Sequence, residues 1–264
     1  MSILWHEQCS RDVPETNAWL SERERSYLNS LTFSKRREDW RLGRWTAKCS
    51  VASVLGMPCL VPGISKIEIW PSRSGAPIVF VNHDPARLAI SLSHRSGTAV
   101  CAVGHSSARI GCDLELIEPR DPAFVSDYFS PDEQATLEEA ANERRSLMTT
   151  LMWSAKESAL KALHLGLRLD TRRLEVSFSD VLSAQENRVW LETYPIGLVI
   201  SHIFERGALA NAWHPFQVRL RNIPAFLGWW QNTDQFVRTL LIRHSDARGV
   251  GDSTVAESAQ QVEI

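Results

Sequence analysis

The residues most able to do chemistry in this chain stand in two short segments. One is Gly111-Cys112-Asp113-Leu114-Glu115; the other is Trp153-Ser154-Ala155-Lys156-Glu157-Ser158-Ala159-Leu160-Lys161. Together they offer three carboxylates, Asp113, Glu115 and Glu157, and two lysines, Lys156 and Lys161. From Arg109 to Glu115 the apolar Ile110, Cys112 and Leu114 alternate with Gly111, Asp113 and Glu115. That alternation predicts a strand with both acids on one face. The second segment predicts a helix with Glu157 and Lys161 one turn apart. Oxygen donors of this kind suit Mg²⁺, which keeps some water and completes its shell from substrate phosphates. The expected chemistry is a magnesium site acting on a phosphate ester. Either segment alone also reads as an exposed strand or a surface ion pair, so the weight comes from the company they keep.

The first companion is basic. Lys35, Arg36, Arg37, Arg41, Arg44 and Lys48 crowd one short stretch against only Glu38 and Asp39. Arg37, Arg41, Arg44 and Lys48 recur at steps of three and four, which makes one cationic stripe on a helix. Such a stripe is either a solvated face or a docking surface for phosphates, to which Arg offers forked donors. Next, Ser91-Leu92-Ser93-His94 closes a predicted strand, with Ser93 and His94 as candidate donors to phosphate. Finally, Gly75-Ala76-Pro77 is a tight turn that lets backbone approach a flat ligand.

The elements that must carry these groups follow from the same pattern. Residues 15–55 read as largely helical, with a helix over Ser34 to Leu55 that stops at Gly56 ahead of Pro58. Pro71 to Pro77 is a turn, Ile78 to Val81 a strand, Leu88 to His94 a strand, and Gly97 to Gly104 its hairpin partner. Ser130-Pro131-Asp132-Glu133 opens a helix with Ser at the N-cap, Pro at the first position and Glu three residues on. That helix is expected to reach about Glu143, and the next to run from about Ser146 to His164 and stop at Gly166. Strands follow at Leu174 to Ser179, Arg188 to Thr193, Trp213 to Leu220, Phe226 to Trp230 and Phe236 to Arg243. The last twenty residues, Ser245 to Ile264, are small and polar and are expected to be disordered. Each half thus carries helices and then strands. An α+β protein of two related lobes is expected, without a sequence repeat between them.

Composition sets the outer limits. A 264-residue chain that is 44% hydrophobic can bury one large core or two ordinary ones. A net charge of −2 argues against a general nucleic-acid binder. The start at Met1 has no basic region before an apolar stretch, and no run of about 18 apolar residues occurs. No leader and no membrane span are expected, and the cytoplasm is the expected compartment. The five cysteines are odd in number and lack a Cys-x-x-Cys spacing. They are expected to be free thiols, with Cys49, Cys101 and Cys112 in the core.

Taken in order, these pieces resemble the 4′-phosphopantetheinyl transferase superfamily, in its larger, Sfp-type branch. The resemblance rests on Arg36-Arg37 with Gly43-Arg44 and Lys48, on Gly75-Ala76-Pro77, on Ser91 to His94, and on Gly111 to Glu115. It continues through Phe129-Ser130-Pro131-Asp132-Glu133 and Trp153 to Glu157 with Lys161. It runs on more weakly through Trp213-His214-Pro215-Phe216 and Gly228-Trp229-Trp230 to about residue 243. The Asp-x-Glu and Trp-x-x-Lys-Glu-x-x-x-Lys patterns are its most specific parts.

The resemblance implies a fold and a reaction. The fold would be a pseudo-dimer of two similar α/β lobes with the active site in the cleft between them. Residues 1–108 would form the lobe facing the 3′-phosphate and adenine of coenzyme A, and 109–244 the lobe with the magnesium and catalytic residues. The reaction would move the 4′-phosphopantetheine arm of coenzyme A to a serine of an acyl or peptidyl carrier protein, releasing adenosine 3′,5′-bisphosphate. Asp113, Glu115 and Glu157 would hold Mg²⁺, with Mn²⁺ as a substitute. Lys161 would neutralise charge on the bridging or leaving oxygen, with Lys156 nearby, and either Glu157 or Glu133 would take the serine proton. Arg36, Arg44 and His94 would hold the 3′-phosphate beside Ser93, with Arg37 as a stand-in for Arg36, while Gly75, Ala76 and Pro77 lie against the adenine. Many relatives carry Lys or Arg where this chain has Ala76; the contact is either lost or supplied by Arg73. Carriers would dock near Ser126 to Ser130, and the chain would act as a monomer. Two other readings compete. One is a non-catalytic homologue that binds coenzyme A or a carrier; the other is an unrelated Mg²⁺ nucleotide enzyme, for which the chain lacks the Gly-x-x-x-x-Gly-Lys-Ser/Thr loop.

Overall fold

The structure, a computed structural model, describes residues 3–178, 213–221, 223–233 and 235–244. The expected strand at 188–193 and the tail from 245 lie outside them. Five α-helices are described: α1 (Glu22–Ser30), α2 (Ser34–Val54), α3 (Pro122–Tyr128), α4 (Pro131–Glu139) and α5 (Asn142–Leu163). The strands fall into three antiparallel sheets. β1 (Leu4–Cys9), β6 (Thr98–His105) and β5 (Leu88–Arg95) make the first, in that order. β2 (Ile67–Pro71), β3 (Pro77–Val81) and β4 (Asp84–Pro85) make a small second one. The third runs β7 (Ala108–Leu116), β11 (Phe236–His244), β10 (Ile223–Asn232), β9 (His214–Leu220) and β8 (Leu174–Phe178). The mixture of helix and sheet is as expected. Among the described residues no helix is long and apolar enough to cross a membrane.

The two larger sheets share a core. Ile3, Trp5, Val100 and Ala102 from β1, β6 and the residue before β1 pack on Ala108, Ile110, Cys112, Leu114 and Leu240 from β7 and β11. Polar contacts reinforce the junction. Arg238 of β11 forks onto Glu7 of β1 through two bonds of 2.6 Å. At the edges, β5 lies beside β7: Ser91 Oγ accepts the Cys112 amide at 2.9 Å, and Ser93 Oγ donates to Asp113 at 2.8 Å. Asp113 therefore sits where one sheet's edge meets the other's.

Several expectations need correction. Residues 15–21 are not helical, and α4 ends at Glu139, so that α5 begins at Asn142 rather than Ser146. The left-handed cap of α5 falls on His164 (φ 57°), ahead of Gly166. β1, β2 and α3 were not foreseen. Nor are all five thiols free. After α2 and Gly56 the chain doubles back, bringing the Cys59 Cα within 5.2 Å of Cys49, and the two are joined as a disulfide. Cys101 and Cys112 are free and buried, as expected.

One arrangement of contacts occurs twice in the chain. α1 opens on a capping box in which Glu24 bonds back to the Ser21 amide, and Glu24 is then paired with the buried Lys48 of α2 at 2.5 Å. Lys48 also donates to Trp19 O, and the Ile69 amide of β2 donates to Glu24. α4 repeats this arrangement. Glu133 bonds back to the Ser130 amide and pairs with the buried Lys156 of α5 at 2.6 Å. Lys156 also donates to Tyr128 O, and the Val176 amide of β8 donates to Glu133. An aromatic-x-Ser-x-x-Glu segment and a distant Lys thus recur in both halves. So few shared positions, so widely spaced, are invisible until the contacts join them.

Each of these lysines is held with its pKa lowered by burial, against the pull of its glutamate. Breaking one partner leaves a buried charge alone, which costs about 3–5 kcal/mol. Lys156→Met should lose stability on that scale in urea unfolding, and adding Glu133→Gln should recover part of it. A Lys156→Met protein as stable as wild type, or a double variant worse than the single, would show that the pair is not coupled as described.

Candidate functional site

Asp113 is the centre of the site. The residue is 3% exposed and its carboxylate receives three donors. Ser93 Oγ and Lys161 Nζ donate to Oδ1 at 2.8 and 2.7 Å, and Ser154 Oγ donates to Oδ2 at 2.8 Å. Lys161 also donates to Cys112 O at 3.0 Å, so β7 holds it by backbone and side chain together. These contacts require α5 to lie tight on β7. Small residues line its inner face, Ser154, Ala155, Ser158, Ala159 and Ala162, all fully buried or nearly so. Gly111 completes the fit, because a Cβ there would stand 1.7 Å from the Ser158 carbonyl oxygen.

The other two carboxylates flank this centre. Glu115 accepts from Arg120 at 3.0 Å, with Arg95 Nε 3.8 Å away. Burial first, and then the Asp113 charge, raise the Glu115 pKa against the pull of Arg120 and Arg95. Burial and Asp113 raise that of Glu157 as well, with Glu115 adding to it and Lys161 opposing. For Lys161 burial works downward, but Asp113, Cys112 and Glu157 outweigh it and its pKa is raised. The three acids therefore feel one another's charge across a partly dry site.

Among the described residues no three His, Cys, Asp or Glu side chains are drawn together as a ligand cage. The reason is visible in their bonds: Asp113 is turned to Ser93, Lys161 and Ser154, and Glu115 to Arg120. The chemistry of the set still suits a hard divalent cation. An ionised carboxylate has about four lone-pair positions, so three donors leave Asp113 about one to give. Three mutually repelling carboxylates are also the environment that a doubly charged cation relieves.

A cleft of about 500 Å³ opens from this centre. Lys161, Leu160 and Ser91 line one part of it, and Tyr27, Trp40, Arg44 and Trp70 another, with Gly75, Ala76 and Pro77 also on its wall. Gly75 takes φ 89°, a conformation open to glycine, which lets the turn close over the cleft. The Arg44 guanidinium lies 4.7 Å from the Trp40 ring centre. Burial lowers its pKa against the pull of Glu24, and its Nε is buried without a hydrogen-bond partner. A shallower depression continues past Tyr27 and Trp40 and is lined by Lys35, Arg36 and His94. Arg36, Arg44 and His94 are thus brought to one neighbourhood, and the Gly75 turn faces the same space as Arg44.

Four expected site residues are placed elsewhere. Arg37 donates to Leu28 O and Leu31 O at 2.8 and 3.3 Å, which ties α2 to the end of α1 and takes Arg37 off the ligand face. Ser93 turns to Asp113 and not to the expected phosphate, since alternation puts it on the opposite face of β5 from His94. Lys156 and Glu133 are spent on each other. A helix turns about 100° per residue, so Lys156 points away from its neighbour Glu157. Nor does the basic stripe of α2 form a docking face: Lys48 is buried, and Arg41 is bonded to Pro14 O and Glu15 O.

Other residues of the site were missed. Trp40, Trp70 and Tyr27 give the cleft an aromatic wall, and Ser154 bonds Asp113 from beneath with Thr239 behind it. Ser154 had a signal, because it lies one turn before Ser158 on the face that β7 covers. Thr239 had none, since only the pairing of β7 with β11 sets it opposite Asp113.

No curated protein sequence matches the chain. Among solved structures it is similar to a holo-(acyl-carrier-protein) synthase from Bacillus anthracis in complex with coenzyme A (3′,5′-ADP), at 23% identity and TM-score 0.32, over 38% of this chain and 91% of that one. It is also similar to the holo-[acyl-carrier-protein] synthase of Helicobacter pylori in complex with coenzyme A, at 17% identity and TM-score 0.27, over 39% and 99%. Residues 109–210, which include Asp113, Glu115, Glu157 and Lys161, match the family model of the 4′-phosphopantetheinyl transferase superfamily.

Proposed function

We propose that this chain transfers the 4′-phosphopantetheine arm of coenzyme A to a serine of an acyl or peptidyl carrier protein and releases adenosine 3′,5′-bisphosphate. The observation that carries the proposal is one cleft with two chemistries. Arg44 and an aromatic wall stand in one part, and Lys161 beside Asp113 in the other. That pairing suits a substrate with a flat base, phosphates and a reacting pyrophosphate. The family match over residues 109–210 supports phosphopantetheinyl transfer as the class of activity. The repeated Ser-Glu-Lys arrangement supports an Sfp-type chain of two related lobes, residues 1–108 and 109–244, acting as a monomer.

In this reading Arg44, Arg36 and His94 hold the 3′-phosphate, while Trp40, Trp70 and the Gly75–Pro77 turn enclose the adenine. With Ala76 in the turn, the aromatic wall supplies contact where the basic side chain is missing. Transfer to a serine needs little covalent work from the protein, so positioning and charge neutralisation dominate. Asp113, Glu115 and Glu157 would hold Mg²⁺, or Mn²⁺ in its place, which when bound neutralises phosphate charge. Lys161, protonated through Asp113, stabilises charge on the leaving phosphate oxygen. Of the two acids expected as the base, Glu133 is paired with Lys156, which leaves Glu157 to take the serine proton. The carrier docks near Ser126 to Ser130.

The test is intact-protein mass spectrometry of apo carrier proteins incubated with this chain, coenzyme A and Mg²⁺. A gain of one phosphopantetheine mass, lost with EDTA, is the expected result. No gain with acyl and peptidyl carriers, while coenzyme A still binds, would replace the proposal with a binding role.

A further inference from the structure

Beneath Asp113 lies a row of buried hydroxyls that the proposed chemistry does not use. Ser158 Oγ is 2.6 Å from Thr239 Oγ1, Thr239 Oγ1 is 2.9 Å from Ser154 Oγ, and Ser154 Oγ is 2.8 Å from Asp113 Oδ2. Ser154, Ser158 and Thr239 are fully buried, and Thr239 stands directly opposite Asp113 in the β7–β11 pairing. Each hydroxyl has one proton to give. Asp113, as a carboxylate, can only accept, so the Ser154 proton must point to it. Ser154 Oγ then accepts and cannot donate to Thr239, so the Thr239 proton turns toward Ser154, whose Oγ and backbone oxygen lie at 2.9 and 3.0 Å. Ser158 in turn donates to Thr239. The order Ser158, Thr239, Ser154, Asp113 leaves no proton facing another.

Resting on the proposed function, we infer that Thr239 is a positioning residue of the site, fixing Asp113 through Ser154 so that its remaining acceptor position is kept for a divalent cation. The geometry explains why a hydroxyl is needed. Ser93 and Lys161 hold Oδ1 from one side, and among the described residues Ser154 alone holds Oδ2. Ser154 lies on α5 and Asp113 on β7, while Thr239 on β11 supports both. Without the Thr239 hydroxyl, Ser154 loses that donor and is freer to rotate, so the bond it gives Oδ2 is less firmly fixed. Hydrogen bonds in such a dry chain polarise one another, so the loss reaches the carboxylate two links away.

The experiment compares Thr239→Val, Thr239→Ser and Ser154→Ala with wild type. Mn²⁺ binding is read by electron paramagnetic resonance without coenzyme A, kcat and KM by transfer, and folding by thermal melts. Thr239→Val keeps the shape of the side chain and removes the hydroxyl. Outer contacts to a ligating residue are worth about 10–100-fold in metal affinity or activity, so Thr239→Val should weaken Mn²⁺ binding and lower kcat about tenfold. KM for coenzyme A should stay unchanged, and Thr239→Ser should restore both losses. Ser154→Ala removes the last link without adding bulk and should show the same pattern, which keeps the test intact if Thr239→Val fails to fold. Equal Mn²⁺ affinity and kcat in wild type and the folded variants would overturn this inference and leave the proposed function standing. Wild type that binds no Mn²⁺ and transfers nothing would overturn both.

Discussion

Asp113→Asn should lower the transfer rate on the order of a thousandfold, about 4 kcal/mol at 1.36 kcal/mol per decade, while the chain stays folded. The size follows from how many things depend on one charge. Asp113 is the main partner that keeps the half-buried Lys161 ammonium charged, and it accepts from Ser93 and Ser154 as well. An asparagine has nearly the same shape but one acceptor oxygen and one NH₂. Whichever way the amide turns, its NH₂ meets a donor: Ser93 and Lys161 on one side, Ser154 on the other. The side chain therefore leaves its place or forces its neighbours to turn. It also brings no negative charge to a cation. Single-turnover mass spectrometry at saturating coenzyme A measures the rate, and a thermal melt checks the fold. A folded variant that transfers within about tenfold of wild type would remove Asp113 from the centre, since loss of a single preorganised contact already costs about 10²–10³.

How far the site could be read from the residues depends on what each pattern encodes. Strand alternation placed Asp113 and Glu115 on one face, and helical spacing placed Glu157 with Lys161; both are periodic and local. Capping chemistry is local too, which is why Ser130 and Glu133 opened α4 as expected. The misreadings came from residues whose partners are distant. Lys156 looked catalytic because it adjoins Glu157 in the motif, yet its partner is Glu133, set by how α4 docks on α5. Lys48 looked like part of a phosphate face, yet Glu24 on α1 draws it inside. Arg37 and Arg41, part of the same stripe, cap carbonyls of the preceding segments. A basic stripe shows only that a helix face is charged, not whether other backbone will cover it. The same limit hid β1. Trp5 and Glu7 share one face of that strand, but they have meaning only against Trp213 and Arg238, more than two hundred residues away.

Gly111→Ala should be the most damaging of the small substitutions, and for a reason independent of charge. Its Cβ would lie 1.7 Å from Ser158 O, 2.7 Å from Ser158 C and 2.9 Å from Ala162 N. All three atoms are helix backbone, so no side chain can rotate to make room. Either α5 moves off β7 or β7 bends away from α5. Overpacking a core costs about 1–3 kcal/mol, and a backbone clash belongs at the upper end. At about 2–4 °C per kcal/mol for a domain of this size, the melting temperature should fall by roughly 6–12 °C. The effect does not stop at stability. Ser154, Glu157, Ser158 and Lys161 all ride on α5, while Asp113 stays with β7. A shift of about 1 Å between reacting groups is worth about 10²-fold in rate, so the folded fraction should also be slow. That pairing separates the two variants: Asp113→Asn loses chemistry and keeps its fold, while Gly111→Ala loses both together. A Gly111→Ala protein that melts within about 2 °C of wild type, where the clash predicts several times that, would mean that α5 does not bear on β7 as described. The shared placement of Asp113, Ser154 and Lys161 would then have to be redrawn.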